Sequence, residues 1–144
     1  MQLTSPVFEN DATIPRKYTC QGEDVSPELT IAAVPDGAQS LALIVEDPDA
    51  PGQTFDHWIV YDIPADTGTI GEGAQPGTAG RNDFGKTAYG GPCPPSGTHR
   101  YFFNLYALDT RLDWPEGRSK NDLQNAMADH ILDQAEFVGR YAKT

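Results

Sequence analysis

Positive charge is what this sequence has least of. Four lysines and six arginines stand against fourteen aspartates and seven glutamates, which gives a formal net charge of -11 at pH 7 and a pI near 4.4. No basic cluster exists to displace counterions from a nucleic acid or to hold anionic headgroups, so neither nucleic-acid binding nor stable membrane association is expected. Long apolar runs are missing as well: no stretch of 18 residues is apolar enough to read as a membrane span. The opening Met1-Gln-Leu-Thr-Ser-Pro lacks the basic start and apolar centre of a secretory signal, so the cytoplasm is the expected compartment. Cysteine is nearly absent too. Cys20 and Cys93 are the only two, and in a reducing compartment free thiols are expected, although a bridge closing so long a loop would add about 4 kcal/mol on the chain-entropy view.

The acidic residues are scattered along the chain instead of gathered in a tail, a pattern that gives a solvated acidic surface. Such a surface repels itself least where salt is abundant and suits a halophilic source. At 144 residues the chain is sized for one hydrophobic core, and one domain over 1–144 is expected.

Helical periodicity is also scarce. It is confined to one late stretch, Asn121 to Ala135, where Leu123, Met127, His130 and Ile131 fall near one face behind a Ser119 cap; His130 then reads as a core residue. Elsewhere short apolar runs alternate with turn signals. Strands are expected at Glu28–Val34, Ser40–Val45, Ile59–Ile63, Thr69–Ile70 and His99–Asp109, with Glu136–Tyr141 as an edge strand broken by Gly139. The pattern predicts a mainly β domain, antiparallel and sandwich-like with Greek-key connections, carrying one C-terminal helix.

Three stretches carry the chemistry. Gly90-Gly-Pro-Cys-Pro-Pro-Ser-Gly97 packs three glycines and three prolines into eight residues, which forbids helix and central strand and makes a shaped loop. It delivers His99, Arg100 and Tyr101 onto the next strand. Asp47-Pro-Asp-Ala-Pro51 ends the strand that starts at Ser40, and His57-Trp58 opens the one after it. Loops held by rigid strands are where ligands are usually met. A fourth stretch, Gly80 to Thr87, matches the letters of the phosphate-binding G-x-x-x-x-G-K-[ST] loop, but no strand precedes it and Gly90-Gly-Pro92 blocks a helix behind it, so it is not read as one.

On these stretches, together with Tyr18-Thr-Cys-Gln-Gly-Glu-Asp-Val-Ser-Pro27, Asn82-Asp-Phe-Gly85 and Leu105-Tyr-Ala-Leu-Asp109, the chain resembles the phosphatidylethanolamine-binding proteins, also called Raf kinase inhibitor-like proteins, in their compact prokaryotic form. The resemblance covers nearly the whole chain. It implies a small anion-binding pocket at the strand ends, lined by residues matching Asp47, Asp49, His57, Cys93, Pro94, His99 and Tyr101. It also raises a cis bond at Ala50-Pro51.

Read from the residues, the chemistry is capture of a small oxyanion or phosphate monoester without a cofactor or metal. Histidinium would supply charge, Tyr101 a hydroxyl donor, and the amides of Cys93 to Gly97 an anion-accepting concavity. Binding would then tighten as pH falls towards the imidazole range. Arg100 is expected to pair with a surface acid, while Trp58, Phe102 and Tyr106 fill the core. Two rival readings stay open: a hydrolase using Cys93 with His99, or a metal held by Asp47, Asp49, His57 and His99, and a regulatory contact with a protein partner, the chain acting as monomer or homodimer.

Overall fold

Long strands, whose successive side chains point to opposite faces of a sheet, build the molecule. The computed structural model describes all 144 residues, Met1 to Thr144. In chain order the elements are β1 (Gln2–Thr4), β2 (Ala12–Thr13), a 3-10 turn (Arg16–Tyr18), β3 (Leu29–Ala32), β4 (Ser40–Asp47), β5 (Phe55–Pro64), β6 (Thr69–Ile70), β7 (Thr78–Ala79), β8 (His99–Leu108), the helix α1 (Lys120–Met127) and β9 (Ile131–Tyr141). They form a three-stranded sheet in the order β1-β3-β6 and a six-stranded sheet in the order β2-β9-β8-β4-β5-β7. Every pairing is antiparallel except the short parallel contact of β2 with β9. The mainly β reading with one helix holds.

The larger core lies between the sheets. Leu29 and Ile31 of β3 and Ile70 of β6 meet Leu43 and Val45 of β4, Val60 of β5, and Phe103 and Leu105 of β8. The intervening residues of the same strands face the other way: Ala42, Ile44, Ile59 and Tyr61 pack with Leu123 and Met127 of α1. Strand β4 is thus buried on both faces, which is why it reads as one continuous apolar run.

Three sequence expectations fail near the C-terminus. The helix stops at Met127 instead of reaching Ala135, because Ile131 to Ala135 pair with Leu108 to Leu105 of β8 and tertiary pairing overrides the helical pattern. Ser119 does cap it, its side chain accepting from the Asp122 amide. His130 lies outside the core, exposed in the turn between α1 and β9, with Nδ1 on the Asp109 carboxylate at 2.7 Å. Gly139 does not break its strand; it pairs with Tyr101, and a Cβ there would run into Ile14 and Phe8, which pack across it.

The topology also decides where the functional stretches meet. Because β4 runs antiparallel to both neighbours, its last residue, Asp47, arrives beside the first residues of β5 and β8. A bulge then adjusts the aim. Val45 pairs with Trp58 but Glu46 pairs with Asp56, so His57 is an extra residue in β5. Bulges re-aim side chains, and this one turns His57 towards Phe55 and Tyr101.

Candidate functional site

A cavity of about 340 Å³ opens at that meeting point. Asp47 comes from the end of β4, Phe55 and His57 from β5, and His99 and Tyr101 from β8; Ala50 and Pro51 close one side, Cys93, Pro94 and Pro95 another, and Phe84 the rim. Six of the seven expected site residues therefore line one hollow. Asp49 does not. Its carboxylate accepts from the Arg100 backbone amide at 2.9 Å and from the guanidinium at 2.9 and 2.8 Å. This fork, led by the Arg100 side-chain hydrogen bond, holds the Asp49 carboxyl down at about 2. Its function is to lock the β4–β5 turn onto β8, and it removes Arg100 from the hollow as well.

Each ring at the site is fixed through Nδ1. His99 Nδ1 meets Asp47 Oδ2 at 2.6 Å, and Asp47 Oδ1 accepts from the Asp49 amide at 2.8 Å. His57 Nδ1 meets the Gly90 carbonyl oxygen at 2.7 Å, and since a carbonyl only accepts, this nitrogen carries the hydrogen. Neither Nε2 has a protein partner. Burial lowers the His57 pKa, with Gly90 and Asp47 opposing, so the ring is held neutral. The expectation of histidinium at that position is corrected: the ring is 4% exposed, and no carboxylate hydrogen-bonds it.

Tyr101 stands edge-on to His57, with ring centroids 5.2 Å apart. Its hydroxyl is buried without a hydrogen-bond partner. Burial, then the charges of Asp47 and Asp49, push its pKa well up against the opposing Cys93 amide, so the group stays a neutral hydroxyl whose O–H is free to donate.

The loop side of the site is built by a disulfide and two polar clasps. Cys20 and Cys93 are bonded, which overturns the free-thiol expectation and removes Cys93 as a nucleophile. The bond joins the segment after the 3-10 turn to the proline loop, where the Cys20 amide also donates to Pro92 and the Gly91 amide to Asp24. Asn82 is the second clasp. Its Nδ2 donates to the carbonyls of His57 and Ala88, and its Oδ1 accepts from the amides of Phe84 and Lys86. Gly90 lies beneath Phe84, and a Cβ there would run into the ring unless the ring shifted.

Other expectations need correction. The Ala50–Pro51 bond is trans, as all peptide bonds are. The anion-accepting concavity of Cys93 to Gly97 is short of donors at the wall, because Pro94 and Pro95 carry no amide hydrogen. The metal set Asp47, Asp49, His57 and His99 does not converge, since Asp49 is taken by Arg100, and no group of three or more His, Cys, Asp or Glu side chains is arranged to hold an ion. The Gly80–Thr87 stretch is a loop with no helix behind it. Sequence reasoning missed Phe55, Phe84 and Asn82. For Phe84 the available signal was its place within Asn82-Asp-Phe-Gly85; a phenylalanine in a polar loop is 43% exposed here, at the lip of the cavity.

Comparison with known proteins bears on the family and the fold. The sequence profile of the family "Phosphatidylethanolamine-binding protein" matches residues 4–142. A UPF0098 protein of Methanothermobacter thermautotrophicus is 47% identical, with 99% of each chain covered, and one of Chlamydia pneumoniae is 49% identical over the whole of both chains. Among solved structures, a phosphatidylethanolamine-binding protein homologue of Chlamydia trachomatis superposes with a TM-score of 0.96 at 45% identity, covering 99% of this chain and 97% of its own. Escherichia coli YbcL, described as a member of the mammalian family, gives 0.91 at 30% identity, covering 99% and 98%. A profile match across nearly the whole chain, with full-length relatives near half identity, makes this chain a member of the phosphatidylethanolamine-binding protein family.

Proposed function

We propose that this protein is a binding module for a small oxyanion, a phosphate ester or a group of similar shape, presented by a small molecule or by a protein partner. The observation that carries the reading is the set of unmet polar atoms around one cavity: Nε2 of His57, Nε2 of His99 and the Tyr101 hydroxyl. A buried hydroxyl left unpaired costs about 1–3 kcal/mol, a cost a ligand oxygen offsets. Apolar walls with a few convergent polar groups are the usual make-up of a ligand site. The family's name points to a phosphate-bearing headgroup. At about 340 Å³ the hollow suits a phosphate monoester of headgroup size and not a whole lipid, whose phosphate is a diester carrying acyl chains. The net charge of -11 works against anionic membranes.

The binding reading is preferred over hydrolysis because Cys93 is bonded to Cys20 and offers no thiolate. The test is a titration of the intact protein with inorganic phosphate, followed through the imidazole signals of His57 and His99. Saturable shifts of both rings are expected. Rings that stay unmoved while phosphate is raised far into the millimolar range would end the proposal.

A further inference from the structure

We infer that the cavity, in the binding role proposed above, selects oxyanions that still carry a proton, with His57 Nε2 accepting the hydrogen bond from that O–H. The class that fits is a phosphate that keeps a P–O–H, inorganic hydrogen phosphate or a singly charged monoester, as distinct from sulfate, doubly ionised monoesters and phosphodiesters.

Donors and acceptors around the cavity decide which oxyanion fits. Gly90 obliges His57 Nδ1 to carry the hydrogen, so in the neutral ring Nε2 presents a lone pair. The ring is enclosed by the aromatic rings of Phe55, Phe84 and Tyr101, with centroids at 5.0, 5.4 and 5.2 Å. Four titratable groups face it: Asp47 from β4, Asp24 from the loop after the 3-10 turn, Tyr101 from β8, and His99 across the cavity. None of them is hydrogen-bonded to it, and the Asp47 carboxylate is already spent on His99 and the Asp49 amide. Burial outweighs their attraction for a proton.

No fixed cation offsets that lone pair. The cavity lining contains no lysine or arginine, and Arg100 is forked onto Asp49. A dianion without an O–H, sulfate or a doubly ionised monoester, would set an oxygen against the Nε2 lone pair with the buried Asp47 carboxylate behind His99. A monoprotonated oxyanion avoids this. It donates its own O–H to His57 and accepts at its other oxygens, from the unpartnered Tyr101 hydroxyl among others. Sulfate carries no proton near neutral pH, and a phosphodiester has no P–O–H to give, so both lack the donor that the site requires.

The experiment compares three probes on the intact, disulfide-bonded protein by calorimetry: inorganic phosphate, sulfate and dimethyl phosphate. Near pH 6.5, phosphate is expected to bind about tenfold or more tightly than either of the others, the cost of leaving one buried acceptor facing an oxygen. From pH 6 to 8 inorganic phosphate is expected to keep its advantage over sulfate, because its dianion still carries one O–H, while the sulfate affinity stays flat. His57→Phe, which keeps an aromatic ring in the same packing, is expected to bring phosphate down to the level of sulfate, its fold checked by near-ultraviolet circular dichroism. If all three probes bind alike and tighten together as pH falls, the cavity works by imidazolium charge and proton selection is wrong, though the binding role survives. If none binds, the binding role fails and takes this inference with it.

Discussion

His99 and Asp47, 52 positions apart in the chain, are joined by a 2.6 Å contact between Nδ1 and Oδ2 inside the protein. The Asp47 carboxylate accepts twice, from the ring and from the Asp49 amide, so both its oxygens are committed. In Asp47→Asn only one amide oxygen remains to accept, and the NH₂ group is set against a second donor. We expect a loss of about 2 kcal/mol in urea unfolding, in the range for buried hydrogen bonds to charged groups. Phosphate affinity should drop with it, because His99 loses the contact that orients its ring. In the double variant with His99→Ala the losses should be less than additive; full additivity would mean the two side chains act independently.

His57 should leave a mark on stability against pH. Its folded pKa lies below the ordinary imidazole value of about 6.5 because the ring is buried. Between that ordinary value and the lower folded one, the unfolded chain binds the proton and the folded chain does not, so stability falls as pH falls. Above about pH 6.5 the contribution is fully present. Urea midpoints measured from neutral towards acid should therefore decline through this window, and His57→Gln should flatten the decline. An unchanged slope in the variant would assign it to other groups.

Much of this site was legible before any coordinates, and the reason is local chemistry. Prolines and glycines around Cys93 announce a shaped loop whatever the fold, and Asp47 and His57 stand at the ends of apolar runs where strands must stop. What stayed hidden depended on partners distant in sequence. The fate of Asp49 rests on Arg100, 51 positions away. The aim of His57 rests on a bulge that shows only in the register of β4 against β5. The helical spacing from Leu123 to Ile131 was real for two residues of the core, Leu123 and Met127, and ended where β8 offered Ile131 a strand partner. The Cys20–Cys93 bond is hidden in the sequence because a pairing across 73 positions depends on the fold, while the expected compartment favours free thiols.

That bond should contribute measurably. It spans 73 positions, and closing a loop of that length in the unfolded chain is worth about 4 kcal/mol in the chain-entropy model. Cys20 is exposed and Cys93 half-buried, so a dithiol can reach the sulfurs. Treatment with dithiothreitol should release two thiols per chain and lower the unfolding midpoint; Cys20→Ser with Cys93→Ser should reproduce the shift and no longer respond to reductant. A double variant as stable as the parent would show that the bridge adds nothing to the fold.

The acidic surface predicts a salt response. Of the ionic contacts that offset a net charge of -11, most join exposed side chains, such as Arg111 with Asp113 and Arg118 with Asp122, and pairs of that kind are worth about 0–1 kcal/mol each. Self-repulsion among the remaining acids is expected to be the larger effect, and salt screens it over a Debye length of about 8 Å at physiological strength and about 3 Å at 1 M. The unfolding midpoint should rise steadily as potassium chloride is added. A fall would mean that the attractive pairs dominate and that the surface carries no adaptation to salt.

Asn82 offers the sharpest separation of site from fold. All four of its side-chain hydrogen bonds are made within one loop and to the backbone of His57, none to the core between the sheets. In Asn82→Ala the amides of Phe84 and Lys86 and the carbonyls of His57 and Ala88 lose their partner together, but the loop is close enough to solvent to rehydrate most of them. Stability should fall by about 2 kcal/mol, less than four buried losses would sum to. The larger change should be local: amide exchange at residues 83 to 90 should accelerate while that of Leu43 and Phe103 holds. Since Phe84 forms the rim and Gly90 anchors His57, phosphate binding should weaken in the same variant. Loop amides that exchange as slowly as in the parent would show that the clasp is dispensable and that the rim is held by Phe84 packing alone.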